Sequence, residues 1–144
     1  MERFGENINI LGITGHRPQS FGFSNISLHN KIKYAIVSYL EKAKPDLLVT
    51  GMALGVDTWA AEAAIDLGIP FEAAVPFIGQ EGRWSTEDQR RYKTLLEAAI
   101  KVTVVSPGSY SAEKMHIRNA YIVNKCTTLL AIYNGSKTGG TYNA

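Results

Sequence analysis

The sequence predicts an α/β fold: a single domain with an about five-stranded parallel sheet and helices on both faces. Three observations predict it. Short apolar runs alternate with segments of helical periodicity from Ile8 to Tyr133, the order expected of βαβ units. The runs are apolar at successive positions, as in strands covered on two faces. The residues with chemical character fall just after the strands, where open α/β sheets bind their ligands.

The elements follow in order. Strand one covers Ile8–Thr14 and leads into a loop over Gly15–Ser27 that contains Pro18 and Gly22. Helix one covers Leu28–Ala43, with Ile32, Ala35, Ile36, Tyr39 and Leu40 on one face. Lys44-Pro45-Asp46 ends it, and Asp46–Thr50 forms strand two. Helix two covers Val56–Leu67 before Gly68; its Trp59, Ala60, Ala63, Ala64 and Leu67 make a face of mostly small residues that can lie close to a sheet. Strand three covers Phe71–Val75 between Pro70 and Pro76, and a polar loop over Gly79–Glu87 precedes helix three, Asp88–Ala99. Strand four is Lys101–Val105, closed by Ser106-Pro107-Gly108; helix four is Ala112–Cys126, with Ile117, Tyr121 and Ile122 expected inward; strand five is Thr128–Tyr133.

Composition narrows the functional classes. A length of 144 residues suits one domain. With 45% hydrophobic and 19% charged residues the chain reads as globular rather than disordered. A net charge of +2 does not by itself point to nucleic acid, and no nucleic-acid partner is expected. No segment approaches the ~20 apolar residues of a membrane span. Met1–Asn7 is polar with no long apolar run after it, so no signal peptide is expected, and the cytoplasm is the expected compartment. Cys126 is the one cysteine, which excludes an intrachain disulfide and predicts a buried structural thiol. No Cys/His cluster suggests a metal, and no cofactor is expected.

Two glycine turns stand out. Gly51-Met52-Ala53-Leu54-Gly55-Val56-Asp57 joins strand two to helix two. Such a turn aims backbone N–H groups and the positive end of a helix dipole above the strand, where phosphate is the usual occupant. No Gly-Lys-Ser/Thr follows, so it is not a nucleoside-triphosphatase loop, and its glycine spacing is not that of the dinucleotide fingerprint. Asp57 either caps the helix or bonds a ribose hydroxyl. The second turn, Asn134–Thr141, follows strand five; its Gly139, Gly140 and Thr141 are either a glycine tail or a phosphate clasp.

Eight further residues, after strands one and three and in helix four, belong to the candidate site. Gly15-His16-Arg17 follows strand one; Arg17 has the planar fork that suits phosphate, and His16 faces either the ligand or the backbone. Phe77 and Arg83-Trp84 follow strand three, as a base-stacking aromatic beside a phosphate-pairing cation or as an anchored surface loop. Arg90 and Arg91 read as a solvated helix face. Arg118 and Asn119 sit early enough in helix four to reach the cleft.

Gly12-x-Thr14-Gly15-His16-Arg17, Gly51-Met52-Ala53-x-Gly55-x-Asp57 and Gly139-Gly140-Thr141-Tyr142-Asn143 together resemble the YpsA-like branch of the SLOG superfamily, over nearly the whole chain. That superfamily includes the DNA-processing protein of natural transformation and the lonely-guy phosphoribohydrolases. The resemblance implies a Rossmann-like domain and a cleft for a nucleotide or an ADP-ribose-type ligand. Met115-His116-x-Arg118-Asn119 is similar to the Met-His-x-Arg-Lys signature of the phosphoribohydrolases, which makes Arg118 the catalytic residue if the chain is an enzyme. Asn119 replaces the lysine, and the glutamate that follows the glycine loop in those enzymes has no counterpart before Ala144, so the domain is expected to be short at its C-terminus for the family. Glu62, Glu81 and Asp57 are the available substitutes for that carboxylate. The expected function is therefore small-molecule binding, by a sensor or a sequestering protein that forms homo-oligomers. The alternatives are a nucleoside 5′-monophosphate N-glycosidase and a single-stranded DNA-binding accessory protein.

Overall fold

The computed structural model of the chain describes residues 8–15 and 25–132. Five strands and four helices alternate through it: β1 (Ile10–Gly15), α1 (Ile26–Ala43), β2 (Leu47–Thr50), α2 (Val56–Leu67), β3 (Phe71–Val75), α3 (Thr86–Ala98), β4 (Lys101–Val104), α4 (Ala112–Lys125) and β5 (Thr128–Ile132). All strand pairs are parallel, in the order β4-β3-β2-β1-β5. The chain steps outward from β1 to β4, then returns across the sheet to place β5 on the other side of β1. This reversal puts the topological switch point at the carboxyl ends of β1 and β5. A Rossmann-like α/β sheet is thus what these residues form.

The two faces are covered unequally. Residues of α1, α2 and α3 share one core with Leu11, Ile13, Leu48, Phe71, Ala73 and Val75 of the sheet. Helix α2 is its centre: Val56 to Ala61, Ala63 and Ala64 are all buried. Small side chains let it approach β1 so closely that a Cβ on Gly15 would lie 2.4 Å from Val56. On the opposite face α4 is the one helix among the described residues, with Ile122 against Val49 and Ala74.

Local chemistry moved several boundaries. Helix α1 begins at Ile26 rather than Leu28, because the Asn25 side chain accepts the Leu28 N–H at 3.1 Å and caps it. Ser85 does the same for α3 by accepting from Asp88 N–H at 3.1 Å, so that helix starts at Thr86. In α1 the inward line is His29, Ile36 and Leu40 with half-buried Ile32, whereas Ala35 and Tyr39 turn outward. In α4 the expected inward Ile117 is exposed, and Arg118 is buried with Ile122 one turn on. Cys126, expected to be buried, is only half-buried where α4 ends.

Among the described residues, one charged group is buried more deeply than Asp57 and Arg118. Glu72 of β3 is 1% exposed and faces α4. It accepts from Thr103 of β4 at 2.8 Å and from Tyr121 and Lys125 of α4. Burial pushes its carboxyl upward in pKa, but the bonds from Lys125, Tyr121 and Thr103 outweigh this and hold it below its ordinary value of 4.5. The bond to Glu72 in turn raises Lys125 above 10.5. Glu72 therefore contributes its full stability above 4.5 and loses it as pH falls through its lowered value. Lys125 contributes fully below 10.5 and loses its share as pH rises through its raised value.

Removing the lysine strands a buried carboxylate. Lys125→Met is expected to cost about 3 kcal/mol at neutral pH by urea unfolding. The variant's deficit should shrink as pH falls below 4.5 and through the lowered Glu72 value, where the wild-type carboxyl is neutralised as well.

Candidate functional site

The site is built from the carboxyl end of β2 outward. Thr50 ends that strand fully buried. Its hydroxyl donates to the Asp57 carbonyl at 2.9 Å and accepts from the Met52 N–H at 3.4 Å. The chain then reverses through two positive φ angles, 62° at Met52 and 93° at Gly55. Met52 is a non-glycine residue in the left-handed region, a conformation that costs about 1 kcal/mol or more and persists where surroundings enforce it. Its side chain is fully buried, so the residue offers the site only its backbone. Asp57, 5% exposed, does not cap α2; its carboxylate accepts the Ala53 N–H at 3.3 Å. The N–H groups of Met52 and Ala53 are thus both engaged within the loop.

Helix α4 delivers a cation to this loop. Arg118 is 6% exposed, and its Nη1 donates to the Gly51 carbonyl at 2.7 Å. Its Nε donates to the Asn119 side-chain oxygen at 2.9 Å, which fixes the plane of the guanidinium. The side chain lies directly on the loop backbone: a Cβ on Gly51 would meet Nη1 at 2.4 Å and Cζ at 2.6 Å. A side chain at Gly51 would therefore have to displace the Arg118 guanidinium from its place.

The loop after β3 closes the third side. Gln80 donates from Nε2 to the same Gly51 carbonyl at 3.3 Å and to the Tyr92 hydroxyl at 3.4 Å. Tyr92 of α3 is buried, and Trp84 packs against it edge-on, with ring centroids 5.1 Å apart. Gln89, in the second turn of α3, holds the loop from below by donating to the carbonyls of Glu81, Gly82 and Trp84. Burial raises the Tyr92 pKa; the Gln80 bond lowers it, the Glu81 charge raises it and the Arg118 charge lowers it. Glu81 and Arg118 therefore act on one hydroxyl with opposite signs.

Of the residues the sequence nominates, Gly15, Gly51, Met52, Ala53, Gly55, Asp57, Arg118 and Asn119 stand at the carboxyl ends of β1 and β2 or reach there from α4. Phe77 is buried beside Tyr110, with centroids 5.9 Å apart. Trp84 is committed to Tyr92, and Arg83 is exposed in the same loop. His16, Arg17, Gly139, Gly140 and Thr141 lie outside the described residues. Glu62, one of three candidate carboxylates, pairs with Arg91 at 3.5 Å between α2 and α3, away from the strand ends. Sequence reasoning missed Gln80 and Tyr92; the available signal was a polar loop directly after a strand, which singles out neither residue. Among the described residues no group of His, Cys, Asp and Glu is arranged to hold a metal ion. No described helix is long and apolar enough to cross a membrane.

The chain is similar to known proteins over most of its length. A model of the YspA SLOG family matches residues 11–143. The chain is 28% identical over 145 residues to a UPF0398 protein of Halalkalibacterium halodurans, covering 92% of this chain and 76% of that protein. It is 27% identical over 148 residues to a UPF0398 protein of Bacillus cereus, with 92% and 78% covered. Among solved structures the fold is similar to DNA processing protein A from Streptococcus pneumoniae, with a TM-score of 0.63 and 19% identity. That likeness covers 93% of this chain but 44% of the pneumococcal one, and at such identity it shows the fold alone.

The Arg118–Gly51 packing has a measurable signature. Gly51→Ala is expected to cost about 1–3 kcal/mol through overpacking against the guanidinium. In an Arg118→Ala background the same substitution should cost clearly less, a coupling that a double-mutant cycle reads directly. Equal costs in both backgrounds would contradict the contact.

Proposed function

The chain belongs to the YspA SLOG family, and from that premise we propose that it binds a nucleotide or ADP-ribose-type small molecule at the carboxyl ends of its strands, as a sensor or sequestering protein. The observation that carries this reading is the placement of Arg118. A guanidinium is costly to bury, yet this one is held at the mouth of β2 with its orientation fixed by Gly51 and Asn119. Its planar fork matches a phosphate. Because the Met52 and Ala53 amides are already engaged, the anionic contact falls to Arg118, and to Arg17 after β1, more than to the loop backbone. Asp57 and the β3–α3 loop then face the neutral part of the ligand.

A second reading, nucleoside 5′-monophosphate N-glycosidase, is favoured by one specific observation. Such cleavage needs a carboxylate near a developing oxocarbenium ion. Of the three candidates, Glu62 is paired on the outer helices and Asp57 holds the turn, while Glu81 shares the surroundings of Tyr92 with Arg118.

Calorimetric titration with ADP-ribose and adenosine 5′-monophosphate tests the binding reading. Arg118→Ala should weaken binding by about tenfold or more, the worth of charge-assisted hydrogen bonds. Arg118→Lys should recover only part of it, since the fork is lost. Unchanged affinity in Arg118→Ala refutes the assignment, and release of free base by the wild type moves the protein to the second reading.

A further inference from the structure

The β3–α3 loop holds two acceptors that the fold does not use. Gln80 must turn its amide nitrogen toward Gly51, because the Gly51 carbonyl only accepts. That leaves Gln80 Oε1 facing the other way, buried and without a hydrogen-bond donor among the described residues. Glu81 Oε1, on the next residue, is likewise buried and without a donor. Buried polar atoms are nearly always satisfied in folded proteins, so two adjacent exceptions call for a cause. Loop slackness is not that cause. Gln89 fixes the carbonyls on both sides of Gly82, and turns from Gly82 N–H to Gly79 and from Trp84 N–H to Glu81, both at 2.9 Å, define the backbone. Gln80 shares the Gly51 carbonyl with Arg118, so the loop adjoins that cation.

We propose that Gln80 and Glu81 form an acceptor pair that takes hydrogen bonds from donor groups on the neutral part of the ligand, ribose hydroxyls or an amino group of the base. This rests on the nucleotide-binding reading and divides the site in two. Arg118 takes the anion. The 80–81 pair selects for donors, and the Glu81 charge repels a phosphate placed there, so the ligand is held in one orientation and a bare phosphate is bound less well than a nucleotide.

Glu81→Met separates this role from a structural one. The test compares adenosine 5′-monophosphate, its 2′,3′-dideoxy analogue, ribose 5-phosphate and inorganic pyrophosphate on wild type and variant by calorimetry, with the melting temperature of each ligand-free protein. The expected result is a loss of about tenfold or more for adenosine 5′-monophosphate, with pyrophosphate unchanged or tighter and the melting temperature unchanged or higher. If ribose 5-phosphate loses affinity alongside, the donors are sugar hydroxyls. If the dideoxy compound loses it and ribose 5-phosphate does not, the donor is on the base. Unchanged nucleotide affinity in the variant overturns the acceptor pair while leaving nucleotide binding standing. A lower melting temperature makes Glu81 structural and also overturns it. A wild type that binds none of the probes overturns the nucleotide reading, and this inference with it.

Discussion

Arg118 reaches from α4 to the carbonyl of Gly51, and the carboxyl end of the sheet is arranged around that reach. The guanidinium needs an acceptor at the end of β2 and empty space above the next Cα. The first is the Gly51 carbonyl; the second is the space that Gly51 leaves without a side chain. Gln80 bonds the same carbonyl and also the hydroxyl of Tyr92, against whose ring Trp84 packs edge-on. Three elements that are distant in sequence thereby converge on one backbone oxygen.

Helix α4 carries a second polar network at its other end. Lys125 and Tyr121 meet Glu72 deep in the sheet, and Thr103 completes the set. The two networks differ in a telling way. Every oxygen of Glu72 is matched by donors, and the group ties α4 to β3 and β4. At the carboxyl end, acceptors on Gln80 and Glu81 are left over. Full satisfaction is what a structural network needs, since buried groups without partners cost stability. Leftover acceptors in the loop after β3 carry the proposal that a ligand supplies the missing donors. The positive φ at Met52 belongs to the same pattern, strain held in place beside a site.

Much of this was legible in the sequence, and the exceptions have physical reasons. Strand and helix order followed from hydrophobic period, and the small residues of α2 announced its close packing. Arg118 could be placed because its position early in helix four fixes its distance from the strand ends. Its burial could not, since hydrophobicity favours Ile117 inward and the acceptor that holds Arg118 in place, the Gly51 carbonyl, is 67 residues away. Asn25 caps α1 from a stretch that reads as loop. The engagement of the Met52 and Ala53 amides depends on Thr50 and Asp57 folding back, which spacing alone does not disclose. Gln80 acquires meaning only from Tyr92 and Gly51, 12 and 29 residues away.

The central claim is that this strand-end surface holds a nucleotide-type molecule. Its most direct test is one mass-spectrometric experiment. Protein near stoichiometric concentration is mixed with nucleoside monophosphates, ADP-ribose, cyclic ADP-ribose isomers and cyclic dinucleotides, and the filtrate is scored for depletion and for new products. The account predicts that one compound is depleted and is recovered intact when the protein is denatured. A filtrate in which every compound remains at its starting level, with nothing released on denaturation, would contradict it.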